Sequence, residues 1–148
     1  MRTMSASRSI VTGGAGFIGS HVTRALSERG EKVLVIDNLS SSTLTLIEDL
    51  IENGDVEFQK VDIRDKKGLD ETIKGDEKII YHLAADPRVK ESVEDPIDSY
   101  EQNVTGTLNL LEQMRKKGID SMVFASSGGT LYGDVETFRS EEHTSELQ

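Results

Sequence analysis

Glycines at a regular spacing near the start of the chain could hold a phosphate group. In the stretch TGGAGFIGS, Gly13, Gly16 and Gly19 lie three residues apart, and Gly14, Gly16 and Gly19 also satisfy the pattern G-x-G-x-x-G. Glycine lets the backbone turn sharply and approach a phosphate, and a helix that begins there directs its free N–H groups at the anion. The pattern indicates a phosphate-binding loop, with a glycine-rich structural turn as the alternative.

An acidic residue follows at the distance that a dinucleotide site requires. Asp37 lies eighteen residues after Gly19, at the end of the apolar run KVLVID. A carboxylate in this position accepts hydrogen bonds from both ribose hydroxyls and repels a 2′-phosphate. The loop and Asp37 together predict a site for NAD rather than NADP.

Short apolar runs alternate with longer amphipathic stretches along the whole chain, as in a parallel sheet covered by helices. Five runs predict strands, at Ser9–Gly13, Lys32–Asp37, Val56–Ile63, Lys78–Ala85 and Ser121–Ser127. Four stretches predict helices, at residues 17–29, 43–53, 65–74 and 96–117. We therefore expect an α/β fold in which the glycine loop joins the first strand to the first helix.

The composition argues against several other classes of function. A formal net charge of −10 over 148 residues argues against broad binding to nucleic acid or to anionic membranes. No apolar run approaches the roughly 20 residues of a membrane helix, and no signal peptide is evident, so we expect a cytoplasmic location. The chain has no Cys. His21, His82 and His143 lie in a helix, a strand and the tail, so we expect no metal site.

Six motifs in order resemble the extended short-chain dehydrogenase/reductase family, in its nucleotide-sugar epimerase/dehydratase branch. They are TGGAGFIGSH, VIDNLS, VDIRD, YHLAA, NVTGTLNLLE and FASSGGTLYGD, and they span about residues 8–134. The resemblance implies a Rossmann-type, doubly wound parallel sheet, truncated after about the fifth strand. It also implies NAD as cofactor, a nucleotide-sugar substrate and a homodimer through the helix around residues 96–117.

The same resemblance implies which residues contact the cofactor. These are Gly13, Gly16, Phe17, Ile18 and Gly19 at the pyrophosphate; Asp37, Asn38 and Leu39 at the adenosine ribose; Asp62 and Ile63 at the adenine; and Leu83, Ala84, Ala85, Asn103 and Ser126 along the rest of the cofactor. Other roles remain open for some of them. Ile18, Ile63 and Leu83 could be core residues only, and Asp62 could cap a helix.

The catalytic residues of the family are only partly represented. In the family, the Tyr of a Tyr-x-x-x-Lys pair takes the proton of the sugar 4-hydroxyl while NAD takes hydride from C4. No tyrosine of this chain has a lysine four positions later. The family's hydroxyl residue falls on Gly128, so Ser127 or Thr130 could take its place. The sugar 4,6-dehydratases carry an adjacent Asp-Glu pair in this stretch, which Gly128 and Gly129 cannot supply.

The last ten residues, RSEEHTSELQ, differ in character from the rest. They can be back-translated into a common short-read sequencing adapter. We therefore expect an incomplete NAD-binding domain at residues 1–138 and a disordered, non-native tail at Arg139–Gln148.

Three functions are compatible with these features. The first is the N-terminal NAD-binding part of a nucleotide-sugar 4-epimerase, inactive by itself. The second is a stand-alone NAD-binding or redox-sensing module without catalysis. The third is a nucleotide-sugar reductase or decarboxylase of the same family.

Overall fold

Five parallel strands form one sheet in the order β3-β2-β1-β4-β5. The computed structural model describes residues 8–86 and 88–127, except for the side chains of Val89 and Glu91. The strands are β1 Arg8–Thr12, β2 Lys32–Asp37, β3 Val56–Lys60, β4 Glu77–His82 and β5 Met122–Phe124. This order is that of a Rossmann-type sheet, in which the strand order reverses between β1 and β4. The α/β fold class expected from the sequence is confirmed.

The two central strands are buried because helices cover both faces of the sheet. Successive side chains of a strand point to opposite faces, so Ile10 and Val11 of β1 enter different core clusters, and both are fully buried. On one face Ile10 packs with Leu34, Ile80 and Leu110. This two-sided burial explains why β1 and β2 read as nearly continuous apolar runs, whereas β3 at the edge of the sheet exposes most of its side chains.

The helices begin and end at residues with clear local signals. They are α1 Phe17–Glu28, α2 Glu48–Glu52, α3 Lys66–Thr72, α4 Val89–Glu94, α5 Pro96–Tyr100 and α6 Gly106–Lys117, with a 3-10 turn at Leu44–Leu46 and a π-helical turn at Glu101–Thr105. The Asp65 carboxylate caps α3 by accepting from two backbone N–H groups, and Asp95 caps α5 just before Pro96. Gly118, with φ of 73°, ends α6 in the left-handed conformation.

Several element boundaries differ from those predicted. β3 ends at Lys60 rather than Ile63, and β4 ends at His82 rather than Ala85, so the residues that follow are free to form loops. The helix expected at 43–53 is a 3-10 turn followed by the short α2, and α4 was not predicted. The helix expected at 96–117 is interrupted by the π-helical turn. β5 is also shorter than expected, at three residues.

The helices after β4 expose a row of large apolar side chains. Ile97, Tyr100, Val104, Leu108 and Leu111 lie between 41% and 70% exposed. We call this set the α5–α6 face.

Among the described residues, none of the helices has the length and apolar character needed to cross a bilayer.

Candidate functional site

A cleft of about 410 Å³ lies at the carboxyl ends of the strands, where the strand order reverses. Open α/β sheets bind their ligands at this point. Twelve residues singled out from the sequence line the cleft, namely Gly13, Gly16, Phe17, Ile18, Gly19, Asp37, Asn38, Asp62, Ile63, Leu83, Ala84 and Ala85. The other residues that line the cleft were not predicted, namely Ile36, Ser40, Ser41, Ser42, Val61, Gln102 and Ala125.

The glycine loop provides an opening for an anion at the start of α1. Gly16 is the N-cap residue of α1 and has no side chain to bond the first N–H groups, which have no partners within the helix. The first turn contains no acidic residue. A Cβ at Gly19 would overlap the carbonyl oxygen of Gly13, so glycine is required for α1 to start this close to the loop. These features fit a pyrophosphate group at the helix N-terminus.

Asp37 connects the glycine loop to the loop after β2. Its carboxylate accepts from the backbone N–H groups of Ala15 at 3.1 Å and Leu39 at 2.8 Å, and from the Ser42 hydroxyl at 3.1 Å. A carboxylate has about four acceptor positions. One position therefore stays free for a ribose hydroxyl, and a second hydroxyl would have to replace Ser42.

Asp62, at the other end of this part of the cleft, is already fully hydrogen-bonded. Arg64 donates from its backbone N–H, Nε and Nη2, and Asn38 donates from its amide at 2.9 Å. The hydrogen bonds from Arg64, which also pairs with Asp98 at 2.9 Å, lower the pKa of Asp62 to about 2. The carboxylate is thus ionised, and an adenine amino group would have to displace one of these donors. It does not cap α3, since Asp65 does so.

Comparison with known proteins decides the family. The sequence profile of the NAD-dependent epimerase/dehydratase family matches residues 9–148. The chain belongs to the NAD-dependent epimerase/dehydratase family.

Individual members of the family match over most of the chain. The UDP-glucose 4-epimerase of Dictyostelium discoideum is 42% identical over 133 residues, which make up 88% of this chain and 38% of that protein. The crystal structure of the Thermus thermophilus UDP-glucose 4-epimerase in complex with NAD is 44% identical, with a TM-score of 0.81 over 91% of this chain and 42% of that one.

A third relative has a structure with a bound substrate. The UDP-glucose 4-epimerase of Thermotoga maritima with UDP-glucose is 36% identical and has a TM-score of 0.80, covering 90% of this chain and 42% of that one. The chain spans about two fifths of the length of the relatives it matches.

Not every predicted site residue of this family member lies on the cleft. Leu39 has a left-handed φ of 58° and contributes its N–H to Asp37. The Asn103 side chain bonds both the N–H and the carbonyl of Asp86, at 2.8 and 3.3 Å. Ser126 and Ser127 are exposed and do not line the cleft, although their neighbour Ala125 does. Thr130 lies outside the described residues.

Two buried polar residues behind the cleft have contacts that the sequence did not predict. Asn109 of α6 is buried and donates to the carbonyls of Ile63 and Arg64, at 3.0 and 3.2 Å, which holds the loop after β3 in place. His82 is buried between hydroxyl groups. The signal available was their polarity at positions where the helix and strand patterns required apolar residues.

The burial of His82 predicts a pH dependence of stability. Burial lowers its pKa to about 4, whereas the unfolded chain has a His pKa of about 6.5. Below pH 6.5 the unfolded chain therefore takes up a proton that the folded chain does not. The free energy of unfolding should fall by about 2 kcal/mol between pH 7.5 and pH 5, and this term should vanish above pH 7.5.

Urea denaturation at pH 7.5, 6.5, 5.5 and 5 measures this change. His82→Gln is the control, because it retains a polar side chain without the titration in this range, and its stability should vary less with pH. Equal pH dependence in the two proteins would contradict the assignment to His82.

Proposed function

We propose that the chain is the NAD-binding N-terminal part of a nucleotide-sugar 4-epimerase that interconverts UDP-glucose and UDP-galactose. The observation that carries this proposal is the uncapped start of α1 at Gly16, which opens on the same cleft as Asp37. The helix N-terminus suits a pyrophosphate, and the Asp37 carboxylate suits a ribose. The relatives described above, which are UDP-glucose 4-epimerases, support the choice of reaction.

The residues of this chain would bind and orient the cofactor and order the reacting hydroxyl of the sugar substrate. NAD, when bound, supplies the hydride acceptor for the sugar carbon. The helix N-terminus at Gly16 would hold the pyrophosphate, Asp37 the ribose, and the Leu83–Ala85 segment would exclude water from the cofactor. Ser127 or Thr130 would order the hydrogen bonds of the sugar hydroxyl. The proton-removing Tyr and Lys would come from outside these 148 residues, so the chain alone should be inactive.

Replacing the Asp37 carboxylate should weaken the preference for NAD over NADP. In the wild type, repulsion between the carboxylate and the 2′-phosphate should raise the Kd of NADP at least about 100-fold over that of NAD. In Asp37→Asn the ratio should fall below about tenfold, with weaker binding of NAD. Calorimetric titration of the full chain with each nucleotide measures both constants.

Ser42→Ala is the matched control for this experiment. It removes an internal donor to the same carboxylate but keeps its charge, so the ratio of the two Kd values should remain close to that of the wild type. If the ratio of the Kd of NADP to that of NAD stays high in Asp37→Asn, Asp37 does not set the preference between the two nucleotides.

The proposed reaction is tested on the complete gene. DNA sequencing across codon 138 of the source should show a reading frame that continues into a Tyr-x-x-x-Lys motif, without RSEEHTSELQ. This outcome would also support our proposal that residues 1–138 are domain and Arg139–Gln148 are non-native. The complete protein should interconvert UDP-glucose and UDP-galactose with bound NAD, measured by product chromatography.

Other outcomes of that experiment favour the other functions. A genuine stop codon after residue 148 would favour a stand-alone NAD-binding module. A complete protein that reduces or decarboxylates a nucleotide sugar, without epimerising it, would favour the reductase or decarboxylase.

We place the enzyme in the cytoplasm, as expected from the sequence.

We also propose that the α5–α6 face packs against the same face of a second copy, because its five large side chains are exposed in one protomer. The complete protein should sediment as a dimer, and Leu108→Glu should shift it to monomer by placing a charge in the interface. Lys116→Glu, a charge change elsewhere on α6, should leave it dimeric. A monomeric wild type would contradict the proposal.

A further inference from the structure

The His82 ring lies between two threonine hydroxyls at the end of β4. Its Nδ1 is 2.7 Å from the Thr12 hydroxyl of β1, and its Nε2 is 2.9 Å from the Thr107 hydroxyl of α6. His82 is 3% exposed, and the Phe124 ring packs against it with a centroid distance of 5.5 Å. The ring therefore links three elements, β1, β4 and α6, just behind the cleft.

The partners of these hydroxyls determine where the protons lie. The Thr107 hydroxyl donates its one hydrogen to the carbonyl of Asn103, at 2.6 Å. Its oxygen can therefore only accept from His82, which places a hydrogen on Nε2. A neutral imidazole then has an acceptor at Nδ1, so the Thr12 hydroxyl donates to it. The Thr12 hydroxyl oxygen in turn accepts from the backbone N–H of Ala84, whose nitrogen lies 3.4 Å away. The series of hydrogen bonds therefore begins at Ala84.

This chain of hydrogen bonds ends on the segment that lines the cleft. The N–H of Leu83 donates to the carbonyl of Thr12 at 3.1 Å, and the N–H of Ala84 to its hydroxyl. At the other end of the segment, Asn103 holds the backbone of Asp86. Thr12 thus fixes the start of the segment Leu83–Asp86, and Asn103 fixes its end. The hydrogen bonds of His82 and Thr107 connect these two residues.

The position of this segment matters because it touches the phosphate loop. A Cβ at Gly13 would lie 2.7 Å from the backbone nitrogen of Ala84, so the two backbones are in contact without any side chain between them. A small displacement of the segment would therefore shift the phosphate loop and change the shape of the cleft that Gly13 and Ala84 both line. Thr12, which directly precedes Gly13, would move with it.

We propose that His82, in its Nε2–H tautomer, is a positioning residue that holds Leu83–Asp86 against the phosphate loop and thereby sets the affinity for the dinucleotide. The proposal rests on the proposed function for its last step. An imidazole suits this role because it accepts on one edge and donates on the other, with a rigid ring between them. His82 itself does not line the cleft.

The test removes the far end of the hydrogen-bond chain, which does not line the cleft. Thr107→Val keeps the shape of the side chain but removes the hydroxyl, and Thr107→Ser keeps the hydroxyl. In Thr107→Val we expect faster hydrogen exchange at the amides of Ala84 and Asp86, and a Kd for NAD raised about tenfold. Thr107→Ser should restore both values toward those of the wild type.

Nitrogen NMR of the wild-type chain tests the proton positions directly. At pH 7 the His82 ring should show a protonated Nε2 and an unprotonated Nδ1. The opposite tautomer would overturn the proposal, even if Thr107→Val fails to fold. A second result would also overturn the proposal. If Thr107→Val folds with reduced thermal stability, but its hydrogen exchange at Ala84 and Asp86 and its Kd for NAD are unchanged, then the role of the hydroxyl is merely structural.

The two proposals can fail separately. If the wild type does not bind NAD, the proposed function fails for this chain. The tautomer and the exchange rates at Ala84 and Asp86 would still decide whether His82 positions the segment.

Discussion

Contact between two backbones where the strand order reverses is the constraint on which the rest of this structure depends. Gly13, with φ of 70°, passes so close to Leu83 and Ala84 that a side chain of any size would overlap them. This contact holds together the loops that follow β1 and β4, at the end of the paired strands. The cleft opens beside it, where the strand order reverses.

α6 and the π-helical turn before it supply most of the polar support for the cleft. Asn109 holds the carbonyls after β3, Thr107 bonds His82, and Asn103 holds the segment after β4. Gly106 permits α6 to approach the loop after β3, since a Cβ there would lie 2.5 Å from the Ile63 side chain. Three polar residues of the motif NVTGTLN thus support the loops that follow β3 and β4, and each of them is hydrogen-bonded.

Local signals in the sequence were sufficient for the strands, the strand-helix alternation and the glycine loop. Apolar runs predicted all five strands, and β1 and β2, which are buried on both faces, need no polar alternation. Asp37 was found from its distance to Gly19, and it lines the cleft as expected of a residue at the end of β2.

The features that the sequence did not predict depend on partners far away along the chain. β4 ends at His82 because its neighbour β1 ends at Thr12, seventy residues earlier. The role of Asn103 depends on Asp86, and in the sequence it was indistinguishable from a contact to the cofactor. Asp62 was expected to be available to adenine, yet Arg64 and Asn38 already occupy its oxygens. No local pattern reports such pairings.

The π-helical turn at Glu101–Thr105 has a consequence for how this region can change in evolution. A single π turn takes up one more residue than an α-helical turn, so it acts as a one-residue insertion within a continuous helix. Deleting one residue there would restore a regular helix and leave the turns on either side close to their present orientations, because the extra residue is accommodated within the bulge. Asn103, which lies inside the turn, would lose its place opposite the backbone of Asp86. The π-helical turn is therefore a point at which this helix can change in length by one residue while α5 and α6 keep their places in the fold.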